Sequence, residues 1–227
     1  MMGASTGNHS NVLTADNDAL LLDECIAHAK AVIAEQSEHI ADRKKYDFAP
    51  QFRDMTIQLY LVGAMWKFYA QYETKESALE KAFTALTAMM VRDGVKSRIA
   101  EKRTVFLRKT SSLDDDEALA MAMGYESKPG DKSLAEVFDQ YLDEVRVSGG
   151  LWRIFEQGKK ILILGGLLFT MIGVWLVTLL LPESDNLAIL AVGLLMGFLF
   201  ILPTFLIILM IYRYKIKKGE RLRSSST

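Results

Sequence analysis

Two apolar runs near the end of the chain constrain its fold more than any other feature. Ile161 to Leu181 is 21 residues without a charge, and Leu187 to Tyr212 is a second run without one. At 1.5 Å per helical residue the first covers about 30 Å, the thickness of a bilayer's hydrocarbon core. Between them lies Pro182-Glu183-Ser184-Asp185-Asn186, which reads as a short turn. The expected fold class is all-α: a cytoplasmic multi-helix domain followed by a two-helix C-terminal transmembrane hairpin, with spans at 161–181 and 187–212. The second span is the longer one and contains Pro203, which removes a helical hydrogen bond and marks a candidate hinge.

Charge sets the expected orientation. Residues 1–150 hold 18 Lys and Arg against 24 Asp and Glu, a net −6; residues 151–227 hold 9 against 4, a net +5. Arg153, Lys159 and Lys160 precede the first run, and Arg213, Lys215, Lys217 and Lys218 follow the second. The turn carries only Glu183 and Asp185. By the positive-inside rule both termini are cytoplasmic, in a multi-pass protein of the cell (inner) membrane. Met1 to Asn11 has no apolar core, so no signal peptide is expected. An acidic domain is a poor phosphate binder, which argues against nucleic acid as a partner.

Within the spans, Gly193 and Gly197 form a GxxxG, and Gly166 and Gly173 stand one heptad apart. Small residues let helices approach closely, so these four are expected to pack helices, either the two spans or two subunits. Glu183 and Asp185 form a candidate pore mouth, since acidic rings gather cations. No charged residue lies inside either span, against an ion-coupled transporter.

The rest of the chain reads as helices. The expected organisation is a disordered N-terminus at 1–15, a helical domain at 16–148, a juxtamembrane linker at 149–160, the hairpin at 161–212 and a basic tail at 213–227. Leu22, Ile26, Ala29, Ile33 and Ile40 make one apolar face. The stretch Ile57–Trp66 is apolar nearly all round and predicts a central core helix. Residues 95–109 predict a basic amphipathic helix with Val95, Ile99 and Phe106 on one face. Arg92, Lys96, Arg98, Lys102 and Arg103 on the other are candidate contacts to lipid or a partner. Gly124–Lys132 predicts a loop, Ser133 with Glu136 a capping box, and Gly149-Gly150 a flexible joint.

Chemistry is sparse. The single cysteine, Cys25, allows neither an intramolecular disulfide nor a cysteine zinc site. Glu24, His28, Glu35 and His39 project on one strip of a helix, but at Glu-x-x-x-His spacing and opposite the apolar face, so the strip reads as a solvated surface rather than a metal site. There is no phosphate loop or nucleophile motif; no catalytic residue, cofactor or small-molecule substrate is expected. The layout is similar in plan to CorA-type divalent-cation channels. However, Leu181, Pro182 and Glu183 stand where those channels carry Gly-Met-Asn, and the Asp-x-x-Glu of the calcium uniporter is missing, so no family membership follows. The expected function is a membrane-anchored, non-enzymatic subunit or adaptor that assembles with other subunits. The alternative is a homo-oligomeric pore or membrane-disrupting effector gated by the cytoplasmic domain.

Overall fold

The computed structural model describes residues 8–42, 44–112, 115–180 and 185–224. Over these residues the chain is all-α: a helical unit precedes a C-terminal pair of long apolar helices. The helices are α1 (Asn8–His39), α2 (Pro50–Tyr69), α3 (Lys75–Arg92), α4 (Ser97–Ser111), α5 (Asp115–Glu126), α6 (Ser133–Asp139), α7 (Gly149–Leu180) and α8 (Asn186–Ser224), with a 3₁₀ turn at Val145–Val147. One compact unit comprises Met1–Tyr46 and Pro50–Tyr141. The other comprises Asp47–Ala49 and Leu142–Thr227. α1 begins at Asn8, inside the stretch expected to be disordered; residues 1–7 lie outside the described ones.

In the first unit α2 is central because its sequence is apolar on every side. Leu59, Tyr60, Leu61, Val62, Ala64 and Met65 are all buried. It packs against α1, α3, α4 and α5. Around it lie Ile26 and Ala29 of α1, Phe83 and Leu86 of α3, and Leu107 of α4. Full burial of one such aliphatic or aromatic side chain stabilises by about 1.5–3 kcal/mol.

The closest helix approach is made by two glycines. A Cβ on Gly63 of α2 would fall on the Met121 carbonyl oxygen and within 2.7 Å of the Tyr125 amide nitrogen. A Cβ on Gly124 of α5 would fall on the Tyr60 carbonyl oxygen. The two backbones therefore touch where each helix lacks a side chain. Gly124 is not the start of a loop, as its sequence suggested, but an interior residue of α5.

The start of α6 also differs from expectation. No side-chain cap forms at its N-cap, Lys132. The Ser133 amide (3.1 Å) and hydroxyl (2.7 Å) both donate to Asp131 Oδ1. Gln36 Oε1, from α1, accepts the Leu134 amide at 3.2 Å, while Gln36 Nε2 donates to Asp131. The Ser133 hydroxyl also meets Tyr60 at 2.7 Å. A side chain from a distant helix thus replaces the local Ser133–Glu136 box, and buried polar atoms are satisfied across three helices.

In the second unit α7 starts at Gly149 and runs unbroken into its apolar stretch. Residues 149–160 are thus helical, where Gly149-Gly150 was expected to be a flexible joint. Their first turn is held by the short segment 47–49. Ala49 donates to the Val147 carbonyl and Gly149 to the Asp47 carbonyl, both at 2.7 Å. Asp47 takes both Arg153 guanidinium nitrogens, at 2.8 and 2.7 Å. A Cβ on Gly149 would lie 2.9 Å from Asp47 Cγ, so only glycine lets this segment so close. The basic tail likewise continues α8, which is helical to Ser224.

Candidate functional site

α7 and α8 are long and apolar enough to cross a membrane. A 32-residue helix such as α7 is about 48 Å long, more than the hydrocarbon core requires. Their large apolar side chains point outward: Leu164 is 66% exposed, Leu187 77% and Met210 75%. Glycines point inward and are among the few buried residues of α7. An outer surface this apolar is costly in water and ordinary against lipid.

The glycines order the pairing. Gly158 faces Ile208, Gly166 faces Ile201, and Gly173 faces Gly193, so the helices run antiparallel. A Cβ on Gly193 would lie 2.5 Å from Val174 Cγ2 and 3.2 Å from the Thr170 carbonyl oxygen. A Cβ on Gly197 would fall on Thr170 Oγ1. All four sequence-predicted glycines thus lie between the two helices of this hairpin. Thr170, Thr178 and Thr204 donate their hydroxyls to their own helix at Gly166, Val174 and Phe200, at 2.9, 2.9 and 2.7 Å. That leaves no polar stripe of hydroxyls along either helix. Pro203 lies inside α8, which continues on both sides of it. Of the candidate pore-mouth residues, Glu183 lies outside the described residues. Asp185 is exposed at the start of α8, its carbonyl accepting the Ala188 and Ile189 amides.

The antiparallel register places Ile161 opposite Phe205, so the apolar end of α8 continues beside residues 151–160 of α7. There the helices line an open apolar cavity of about 370 Å³. Its walls include Leu151, Trp152 and Phe155 from α7 and Ile208, Leu209 and Tyr212 from α8. Ala49 and Arg146 line it too, and Arg146 is its one charged lining residue. Sequence reading missed this feature, although Leu151, Ile154, Phe155 and Gly158 at i, i+3, i+4 and i+7 carried the signal.

In the first unit, α4 presents an unusual surface. Its buried face is Ala100, Thr104 and Leu107. The small residues let it lie close to α3, where the Thr87 and Thr104 hydroxyls meet at 2.7 Å. That rotation leaves Ile99 (54% exposed), Val105 (67%) and Phe106 (56%) outward, on the face that also carries Arg98 and Lys102. The predicted cations divide. Arg92 pairs with Asp23 at 2.5 Å and Arg103 reaches Asp54 at 3.8 Å, while Arg108, outside that set, pairs with Glu80 at 2.8 Å. Among the described residues Lys96, Arg98, Lys102 and Lys109 make no ion pair. Arg98, Ile99, Lys102, Val105, Phe106 and Lys109 therefore share one exposed face of alternating cationic and apolar character.

The acidic and histidine strip on α1 is dispersed. His28 lies against the Phe68 ring (5.8 Å between centroids), and burial, then the nearby Lys67 ammonium, holds its imidazole below the ordinary value. Glu35 accepts the Gly130 amide. Among the described residues no three His, Cys, Asp or Glu side chains gather to hold a metal. Cys25 is buried, and that burial pushes its thiol up to about 12, far from a reactive thiolate.

Comparison with protein-family models, with curated proteins and with solved structures gives no match for this chain.

Proposed function

We propose that the chain is a membrane-anchored, non-enzymatic adaptor. On this reading α7 and α8 span the bilayer as one hairpin, and the N-terminal helical unit recruits another protein subunit. The outward face of α4 is the observation that supports it. Elsewhere in that unit the exposed large apolar side chains, Leu20, Tyr72 and Val91, lie on separate helices or turns rather than together on one face. On α4, exposed Ile99, Val105 and Phe106 sit among cations that make no ion pair among the described residues. Such a face fits an acidic partner segment that carries apolar side chains, with the rings supplying area and the cations supplying orientation.

The hairpin supports anchorage better than a pore. Its glycines are used between its own two helices, and its hydroxyls are internally bonded. A water-filled lumen needs a polar lining that these helices do not offer. The cations at 153–160 and 213–217 fall at the same end of the hairpin, which fits both termini on the cytoplasmic side of a cell membrane.

The test is gentle extraction from the native membrane, followed by measurement of mass and composition. The adaptor should emerge with other polypeptides, and Phe106→Glu with Val105→Glu should release them while helical content is unchanged. A closed homo-oligomer with nothing attached, passing ions in liposomes, would overturn the reading in favour of the pore.

A further inference from the structure

We infer that the cavity at the base of the hairpin is a binding site for an anionic glycerophospholipid, one acyl chain filling the cavity and the phosphate meeting Arg146. The inference rests on the membrane reading above. Four observations carry it.

The cavity has the size and lining of a ligand site: about 370 Å³, apolar walls and a single charged residue. It also has a wall that a bare helix pair lacks. α7 and α8 form its sides, while Ala49 and Arg146 come from the short segment and the turn that clamp the start of α7. That clamp is built from the Ala49–Val147 and Gly149–Asp47 hydrogen bonds, so the wall is held in place.

Its level is right for an acyl chain entering from a headgroup. In the antiparallel register it begins beside Phe205, opposite Ile161 at the border of α7's apolar run. From there it extends toward Trp152 and Tyr212, amphipathic rings of the kind that favour the interface. An acyl chain taken from the bilayer is already dry, so its burial in the cavity adds little. Selectivity must therefore come from the headgroup.

The charge supplies that selectivity. Besides Arg146 in the lining, Lys159, Lys160, Arg213, Lys215 and Lys217 flank the site on the two helices. Arg153 is held toward Asp47 by two of its guanidinium donors. Arg146 has an interaction within the chain as well, and five donors allow it to serve a phosphate beside that contact. A cation of this kind near an anionic headgroup is worth about 1 kcal/mol, or about fivefold in occupancy.

The experiment uses the full chain in vesicles of phosphatidylcholine containing brominated phosphatidylglycerol or brominated phosphatidylcholine at equal mole fraction. Bromine quenches tryptophan on contact. With Trp66→Phe and Trp175→Phe, the remaining Trp152 lines the cavity. With Trp66→Phe and Trp152→Phe, the remaining Trp175 lies near the other end of α7 and reports bulk lipid. The site predicts that Trp152 is quenched by phosphatidylglycerol at about one fifth of the mole fraction that phosphatidylcholine requires. Trp175 should show no such preference. The Trp152 preference should vanish in Arg146→Gln, persist in Arg146→Lys, and vanish in Leu209→Trp read by native mass spectrometry of bound lipid. The same spectrometry on the unmodified chain should show one retained phosphatidylglycerol. Equal quenching of Trp152 by both lipids, with Trp175 quenched, would overturn the site and leave the hairpin in the membrane. If neither lipid quenches Trp175, the membrane reading itself fails.

Discussion

Glycine brings helices together in both units of this molecule, but against different neighbours. At the crossing of α2 and α5, a methyl on Gly63 or Gly124 would strike the other helix's backbone. In the hairpin, a methyl on Gly158, Gly166 or Gly173 would mostly strike the ends of isoleucine and methionine side chains. The first arrangement is a single reciprocal contact inside a core that already excludes water. The second is spread over residues 158–173 of α7 and 193–208 of α8, and many of its neighbours can rotate away. A backbone contact is all-or-none, whereas a side-chain contact is graded.

The same substitution made in each place tests that contrast. Gly63→Ala or Gly124→Ala should cost the first unit about 3 kcal/mol or more, since neither helix can yield without moving its partner. The measurement is thermal or denaturant unfolding followed by helical signal. Cys25 makes the effect visible from inside. With its thiol pushed up to about 12 and fully buried, it should resist iodoacetamide at pH 8 in the parent chain and label readily in Gly63→Ala. Fast labelling of the parent would show that this core opens far more easily than its packing implies.

Gly193→Ala should come next, at about 1–3 kcal/mol, because Val174 and the Thr170 carbonyl both lie close to the new methyl. Unfolding of the hairpin in mixed detergent micelles would read it, and Cys25 labelling should not change. Gly166→Ala should cost less, under about 1 kcal/mol, since only the flexible end of Ile201 must shift. A larger loss at Gly166 than at Gly63 would break the comparison.

The smallest effect concerns the clamp on α7. The Arg153 guanidinium holds the Asp47 carboxyl below the usual carboxylate range. A depressed carboxylate contributes stability above its unfolded value and loses it as pH falls through the folded one. Hydrogen exchange at the Gly149 amide should therefore be slow at neutral pH and quicken below about pH 4 beyond its intrinsic rate. Asp47→Asn should remove that pH dependence.

Some of this was legible in the residues. The two apolar runs and the absence of charge within them are local properties, and the helices formed where composition placed them. The all-round apolar character of Ile57–Trp66 likewise announced a central helix. The cationic face of α4 was half legible. Its basic residues stood out, but which of them would find acids depended on Asp23, Asp54 and Glu80, which lie in other helices. Periodicity set Ile99 and Phe106 apart from the cations, and packing turned Ala100 and Thr104 inward instead, where smaller residues let α4 lie close to α3. Gly124 read as a loop because glycine is a poor helix former, a preference that close packing against Gly63 outweighed. The Ser133 cap failed for a similar reason: Asp131 and Gln36 offered better-placed partners.

The sequence by itself determined the class of fold and the existence of the C-terminal apolar pair. These follow from hydrophobicity and chain length, which act residue by residue. Only the tertiary structure decided that the small residues serve this hairpin, that residues 47–49 clamp the start of α7, and that a cavity opens beneath it. Those features depend on which surfaces meet, and contacts between residues a hundred positions apart leave no trace in local pattern.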